Sequence, residues 1–215
     1  MNRKSVYFII FMIFISLIIG VINTVLIFNK NIDKEEILFD DCYQSVVEIK
    51  TEYDGNEKFG TAVCIKDNFL ITNWHIINDE NSKFFFRSCY SNDYNEAKLI
   101  SFDDQIDLAL IQIDDLRIKT ISMSNELLKN GEIIYSLGNT LNQGITLSKG
   151  IISNINITYN SLGYICSDNV IDDGNSGGAL INSKKELIGI TTFKISNLGY
   201  AYSIPVKRII DFINK

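Results

Sequence analysis

From residue 42 to residue 204 the chain is interrupted again and again by Asn, Asp and Gly, and this punctuation limits its fold more than any other feature. Proline occurs once, at Pro205, so the turns fall to segments such as Asp54-Gly55-Asn56 and Gly138-Asn139. The apolar runs between them are short, which favours strands over long helices. With 46% hydrophobic and 21% charged residues over 215 positions, these runs can bury one sizeable core or two small ones.

Taken in order, strands are predicted at 45–49, 59–65 and 69–72, with a turn over 53–58 and a hairpin tip at Asp67-Asn68. Further strands are predicted at 83–87, 96–101 and 108–113. A second set at 132–137, 144–154, 163–166, 178–182, 186–193 and 199–204 suggests a second small antiparallel barrel. Pro205 suits a first helical turn, and Val206, Ile209, Ile210 and Ile213 recur at helical spacing, so an amphipathic helix over 205–214 should close the chain.

The amino end is of another kind. After Met1-Asn2-Arg3-Lys4, residues 5–28 carry no charge and as a helix would extend about 36 Å, enough to cross a bilayer. A cleaved secretory signal has an apolar region of about 7–15 residues that ends in small residues. This run is longer, and no A-x-A-like site follows it. The expectation is an uncleaved anchor at 1–28, with a transmembrane helix at 5–28, and a polar tether or juxtamembrane helix at 29–41. Arg3 and Lys4 compete with Lys30 and Lys34 over orientation; the N-terminus is placed inside and the globular part outside the cytoplasm. That part is 42–215: barrel one at 42–118, barrel two at 119–204, then the helix.

Net charge is −6 with no Lys/Arg cluster, so no nucleic-acid partner is expected. Cys42, Cys64, Cys89 and Cys166 are widely spaced without a C-x-x-C pair, so neither a zinc site nor any other cofactor is expected. Four cysteines allow three pairings, but Cys64 lies in an apolar run and reads as a small core residue, and disulfides are not expected.

The chemistry centres on Asp172-Asp173-Gly174-Asn175-Ser176-Gly177-Gly178, where one hydroxyl stands among three glycines directly before an apolar run. Such a turn can expose Ser176 and aim the Gly174 and Ser176 amides at an oxygen that becomes negative during acyl transfer, forming an oxyanion hole. It also reads as an ordinary glycine-rich hairpin turn. His75, the chain's one histidine, reads equally as a solvated or core residue. Asp107 abuts Leu-Ala-Leu-Ile, where a carboxylate should be partly buried and need a partner such as an imidazole N–H; it also reads as a strand-start turn residue. Together they stand in the order His75, Asp107, Ser176, the chain order of the chymotrypsin type of triad. In that arrangement Ser176 attacks, His75 carries the proton, and Asp107 fixes the tautomer and stabilises the imidazolium.

From about residue 45 to 212 the sequence also resembles the HtrA/Deg trypsin-like serine endopeptidases. The likeness is carried by Ser-Val-Val at 45–47, Gly60-Thr61-Ala62, Thr72-Asn73-Trp74-His75, Asp107-Leu108-Ala109-Leu110 and Leu137-Gly138-Asn139. It continues through Lys149-Gly150-Ile151-Ile152-Ser153, the 174–180 stretch, Leu187-Ile188-Gly189-Ile190 and Ala201-Tyr202-Ser203-Ile204-Pro205. The resemblance implies an all-β fold of two perpendicular six-stranded barrels with the triad between them. It also implies a membrane-tethered protease of protein quality control, acting on unfolded or damaged proteins and commonly a trimer. Family members commonly carry C-terminal PDZ domains. The sequence stops at Lys215 without one, so regulation through such a domain is not carried over. Trp74 stands where the family often has a small or polar residue, and Asp172-Asp173 replaces a more neutral segment.

In proteases of this shape the pocket for the side chain before the cut bond is walled by the segment ahead of the nucleophile and by the strand after it. The position six before Ser176, where a trypsin-like enzyme carries an acid, is Val170, and Ile171 and Thr191 add apolar and small neutral surface. An unpaired Lys or Arg would cost several kcal/mol there, whereas an aliphatic side chain would gain roughly 1–3 kcal/mol. Cleavage after small or medium aliphatic residues is expected, unless Asp168 or Asp172 turns into the pocket. The alternative is a catalytically silent trypsin-like fold that binds or scaffolds a protein partner.

Overall fold

Strand β1 (Val46–Tyr53) turns back on β2 (Asn56–Lys66) through Asp54 and Gly55, whose φ values of 48° and 75° form the left-handed pair of a two-residue hairpin. The computed structural model in which this is seen describes residues 3–195 and 199–215. The first half adds β3 (Phe69–Thr72), β4 (Lys83–Arg87), β5 (Asn95–Glu96), β6 (Lys98–Asp103) and β7 (Leu108–Gln112) in the antiparallel order β5-β4-β1-β2-β3-β7-β6. The predicted strand at 96–101 is divided at Ala97, and its two pieces lie on opposite edges of this seven-stranded sheet. The sheet therefore curls until its edges meet at Ala97 through the chain, with no ladder between them.

The second half is a closed barrel of β8 (Ile133–Asn139), β9 (Ile145–Tyr159), β10 (Leu162–Ser167), β11 (Ala179–Asn182), β12 (Leu187–Ile195) and β13 (Tyr200–Pro205), ordered β10-β13-β12-β11-β8-β9. The fold is thus the expected chymotrypsin-like class, with full ladder closure in one half. Val47, Ile49, Leu70, Phe86 and Ile111 fill the first core, with Cys64 among them. Ile134, Ile152, Ile165, Leu180 and Ile188 fill the second. Each such aliphatic side chain contributes about 1.5–3 kcal/mol on burial. All four cysteines are free thiols.

Strands β1 and β2 lie against β8, and this seam between the halves holds polar groups. Among them are Glu48, Thr61 and Asn139, all buried. At the carboxyl end Pro205 leads into a helix, Val206–Ile213, which buries Ile209 and Phe212.

At the amino end a helix spans Arg3–Tyr43, and the chain divides into compact units Met1–Asp40 and Asp41–Lys215. Within the helix, the 24 residues Ser5–Phe28 are long and apolar enough to cross a membrane, and none of them is buried. Helix continues across the predicted tether at 29–41; positions 1 and 2 of the predicted anchor lie outside the described residues.

Candidate active site

His75 rides on a single helical turn, Trp74–Ile77, that follows β3 after Asn73. Ile76 and Ile77 are buried, Trp74 stacks on Phe102 with ring centroids 3.9 Å apart, and Asn78 closes the turn at φ 61°. Three of the four residues are thus anchored in the first half, and the imidazole is left in a cleft, 44% exposed.

Asp107 sits immediately before β7 at a left-handed φ of 56°. One carboxylate oxygen, Oδ1, accepts the His75 main-chain N–H at 2.9 Å. The other, Oδ2, lies 2.8 Å from His75 Nδ1 and also accepts the Thr192 hydroxyl at 2.8 Å. A carboxylate can only accept, so Nδ1 carries the proton and Nε2 keeps its lone pair toward the cleft. Buried Asn73 donates to the Asp107 carbonyl at 3.0 Å and accepts the Gly177 N–H at 2.7 Å, tying the acid's turn to the serine's turn.

The serine turn is held by its carbonyls. Leu141 N–H donates to Asp173 O at 2.7 Å, the Thr61 hydroxyl to Gly174 O at 2.7 Å, and Thr61 N–H to Ser176 O at 2.8 Å. Gly174 and Gly177 adopt φ of 90° and 82°, and a Cβ on either would strike a carbonyl oxygen, of Asn139 or of Thr61 respectively. Only glycine meets both demands. Within this turn the Gly174 and Ser176 amides have no acceptor among the described residues. Two free N–H groups flank a hydroxyl, which is the donor arrangement an oxyanion needs.

The Ser176 hydroxyl donates to Thr192 O at 2.9 Å, and among the described residues no hydrogen bond joins it to His75. Both side chains line one cavity of about 480 Å³, together with Asp107, Ile171, Phe193 and Lys194. Bonds between a nucleophile and its base commonly tighten only when substrate binds.

Of the other expected pocket residues, only Ile171 lines this cavity. Val170 is 76% exposed and faces a neighbouring space of about 310 Å³, beside Ile195 and Tyr200. Thr191 is buried, its N–H and C=O spent on Gly178 and Gly177. The cleft wall comes instead from three consecutive residues, Thr192, Phe193 and Lys194. These three residues follow one another where the register of β12 on β13 shifts between Thr191 and Phe193, the mark of a bulge, and the Phe193 ring itself stacks on Tyr202 with centroids 4.8 Å apart. The sequence carries no local sign of that bulge.

Neither neighbouring acid is unpaired. Asp168 accepts Ile151 N–H at 2.7 Å, and Asp172 pairs with Lys194 at 2.6 Å, a contact that holds the Asp172 carboxyl below its usual range. Asp172 and Asp173 both line the cleft.

Residues 60–190 match the model of the trypsin-like peptidase domain. The chain is 35% identical over 166 residues to the serine endoprotease DegS of Haemophilus influenzae, an alignment covering 72% of this chain and 48% of that protein. It is 34% identical over 162 residues to a probable periplasmic serine endoprotease, DegP-like, of Buchnera aphidicola, covering 70% and 34%. A solved serine endoprotease from Yersinia pestis superposes with a TM-score of 0.74 at 28% identity, covering 82% of this chain and 64% of that one. The chain thus spans about a third to a half of the curated relatives' length.

Proposed function

Because the chain belongs to the trypsin-like peptidase domain family and has HtrA/Deg proteases among its relatives, we propose that it is a membrane-anchored serine endopeptidase working through His75, Asp107 and Ser176. The observation that carries this reading is the clamp of His75 on both oxygens of Asp107, in the same cleft as a serine flanked by two unbonded amides.

The steps follow from the groups present. Ser176 Oγ turns from Thr192 O toward His75 Nε2 and attacks the peptide carbonyl carbon while Nε2 takes its proton. The carbonyl oxygen, now negative, is received by the Gly174 and Ser176 N–H groups, and Asp107 stabilises the imidazolium. Nε2 gives its proton to the departing amine, leaving an acyl group on Ser176. Water then attacks that ester, Nε2 takes the water's proton and returns it to Oγ, and the acid product leaves.

Substrates are unfolded or damaged proteins, cut after small or medium aliphatic residues. Ile171 in the cleft supports this, as does the engagement of Asp168 and Asp172 with other partners. A catalytically silent scaffold gives no role to the aimed imidazole. The apolar helix supports an anchor at 1–28 with the N-terminus inside, a tether at 29–41 and the protease domain at 42–215 outside the cytoplasm. Cleavage of a denatured protein by the full chain, with cut sites mapped by mass spectrometry, tests the reading. Ser176→Ala should lower kcat by about 10⁶-fold, and retained cleavage would refute it. Dominant cuts after Lys or Arg would overturn the specificity alone, and full protection of the domain from protease added to intact cells or spheroplasts, with the domain found in the cytosol, would reverse the orientation.

A further inference from the structure

We infer that Thr61, a residue of the opposite half of the molecule, is a positioning residue for the oxyanion turn; this rests on the serine-protease reading above. Thr61 is fully buried in β2. Its hydroxyl donates to Gly174 O at 2.7 Å and accepts the Asn139 N–H at 2.8 Å. Its amide donates to Ser176 O at 2.8 Å, and its carbonyl accepts the Thr72 hydroxyl at 2.6 Å.

The importance of these bonds lies in peptide geometry. In a trans peptide the C=O and the following N–H point in opposite directions. The Gly174 N–H is therefore directed by whatever holds Asp173 O, which is Leu141 N–H at 2.7 Å. For that bond to form, the 139–141 segment must lie beside the 173–176 turn at a fixed distance. The Thr61 hydroxyl joins them, taking a hydrogen bond from Asn139 and giving its proton to Gly174. A hydroxyl can give one and accept one at the same time; a methyl of the same size can do neither. Asn139 is in turn fixed by its side-chain bond of 3.0 Å to Glu48, which Arg87 pairs at 2.7 Å. The first half thus contributes the mould for the second half's oxyanion turn, besides His75 and Asp107.

The test compares wild type, Thr61→Val and Thr61→Ser in the full-length protein in detergent, each checked for cooperative melting. Thr61→Val should lower kcat tenfold or more with KM within threefold, because misdirected amides weaken transition-state binding rather than substrate binding. Thr61→Ser should recover at least a third of wild-type kcat. A folded Thr61→Val losing less than tenfold, or a Thr61→Ser below a third, would overturn the proposal. If Thr61→Val does not fold, the same threshold on Thr61→Ser decides. If wild type itself fails to react with a fluorophosphonate, the protease reading fails separately. Amide hydrogen exchange at Asn139 then judges Thr61: faster exchange in Thr61→Val but not in Thr61→Ser supports the role, and equal exchange in all three excludes it.

Discussion

Two turns in this protein combine an acid with glycine and differ in everything around them. Asp54-Gly55 joins β1 to β2 in open surroundings, with nothing within 4 Å of where a Gly55 Cβ would stand. Residues 172–178 run between the two halves, with the carbonyls of Asp173, Gly174 and Ser176 held by Leu141 and Thr61 and the Gly174 and Ser176 amides without an acceptor among the described residues. Glycine in the first serves only the φ of a tight hairpin. In the second it also lets backbone pass against backbone. A turn becomes a candidate site through what is packed on it, which no window of sequence contains.

The sharpest way to break this comparison is the same substitution in each turn. Gly177→Ala sets a methyl against Thr61 O and the Thr72 hydroxyl at φ 82° and should destabilise by about 3–5 kcal/mol in urea titration of the full chain. Gly55→Ala, at φ 75° with free space around it, should cost only about 1–2 kcal/mol from the left-handed conformation. Equal losses would mean that packing does not distinguish the turns.

A smaller effect is expected from the polar ties. Asn73→Ala removes the bonds to Gly177 N–H and Asp107 O from a fully buried site and should cost about 1–3 kcal/mol, with a fall in kcat. Its counterpart in the hairpin, Asn56→Ala, loses one exposed 3.3 Å bond to Asp54 O and should stay within about 0.5 kcal/mol.

The smallest effect concerns charge. Lys194 lowers the Asp172 pKa from its ordinary 3.8, so the pair's contribution is present above that value and is lost as pH falls through the lower folded value. Carboxyl NMR should show an Asp172 midpoint below 3.8 that rises toward it in Lys194→Gln. An unmoved midpoint would show that the two charges do not communicate, and stability should barely change in either case, both side chains being well exposed.

Local features were the legible ones. Short apolar runs between Asn, Asp and Gly turns marked nearly every strand, and Pro205 with its spaced isoleucines marked the closing helix. The turn expected over 53–58 is shorter in the structure, because β1 continues to Tyr53 and β2 starts at Asn56, leaving Asp54-Gly55 alone as the link. The order His75, Asp107, Ser176 was visible as well. The helical turn beneath His75 was not, because four residues are too short for any period. Nor was the bulge in β12, beside which Thr192, Phe193 and Lys194 line the cleft while Val170 lines a neighbouring space. Thr61 was visible as part of a strand and of the Gly60-Thr61-Ala62 likeness, but its positioning role was not, since its partners lie 78 and 113 residues away.

The central claim is that Ser176 is a nucleophile activated by the His75–Asp107 pair. Reaction of the full-length protein with a fluorophosphonate, followed by peptide mapping, tests it directly. The account predicts one adduct, on Ser176, absent in Ser176→Ala and slowed by about 10²–10⁴-fold in His75→Ala. An adduct on another serine, or an unchanged rate without His75, would contradict it.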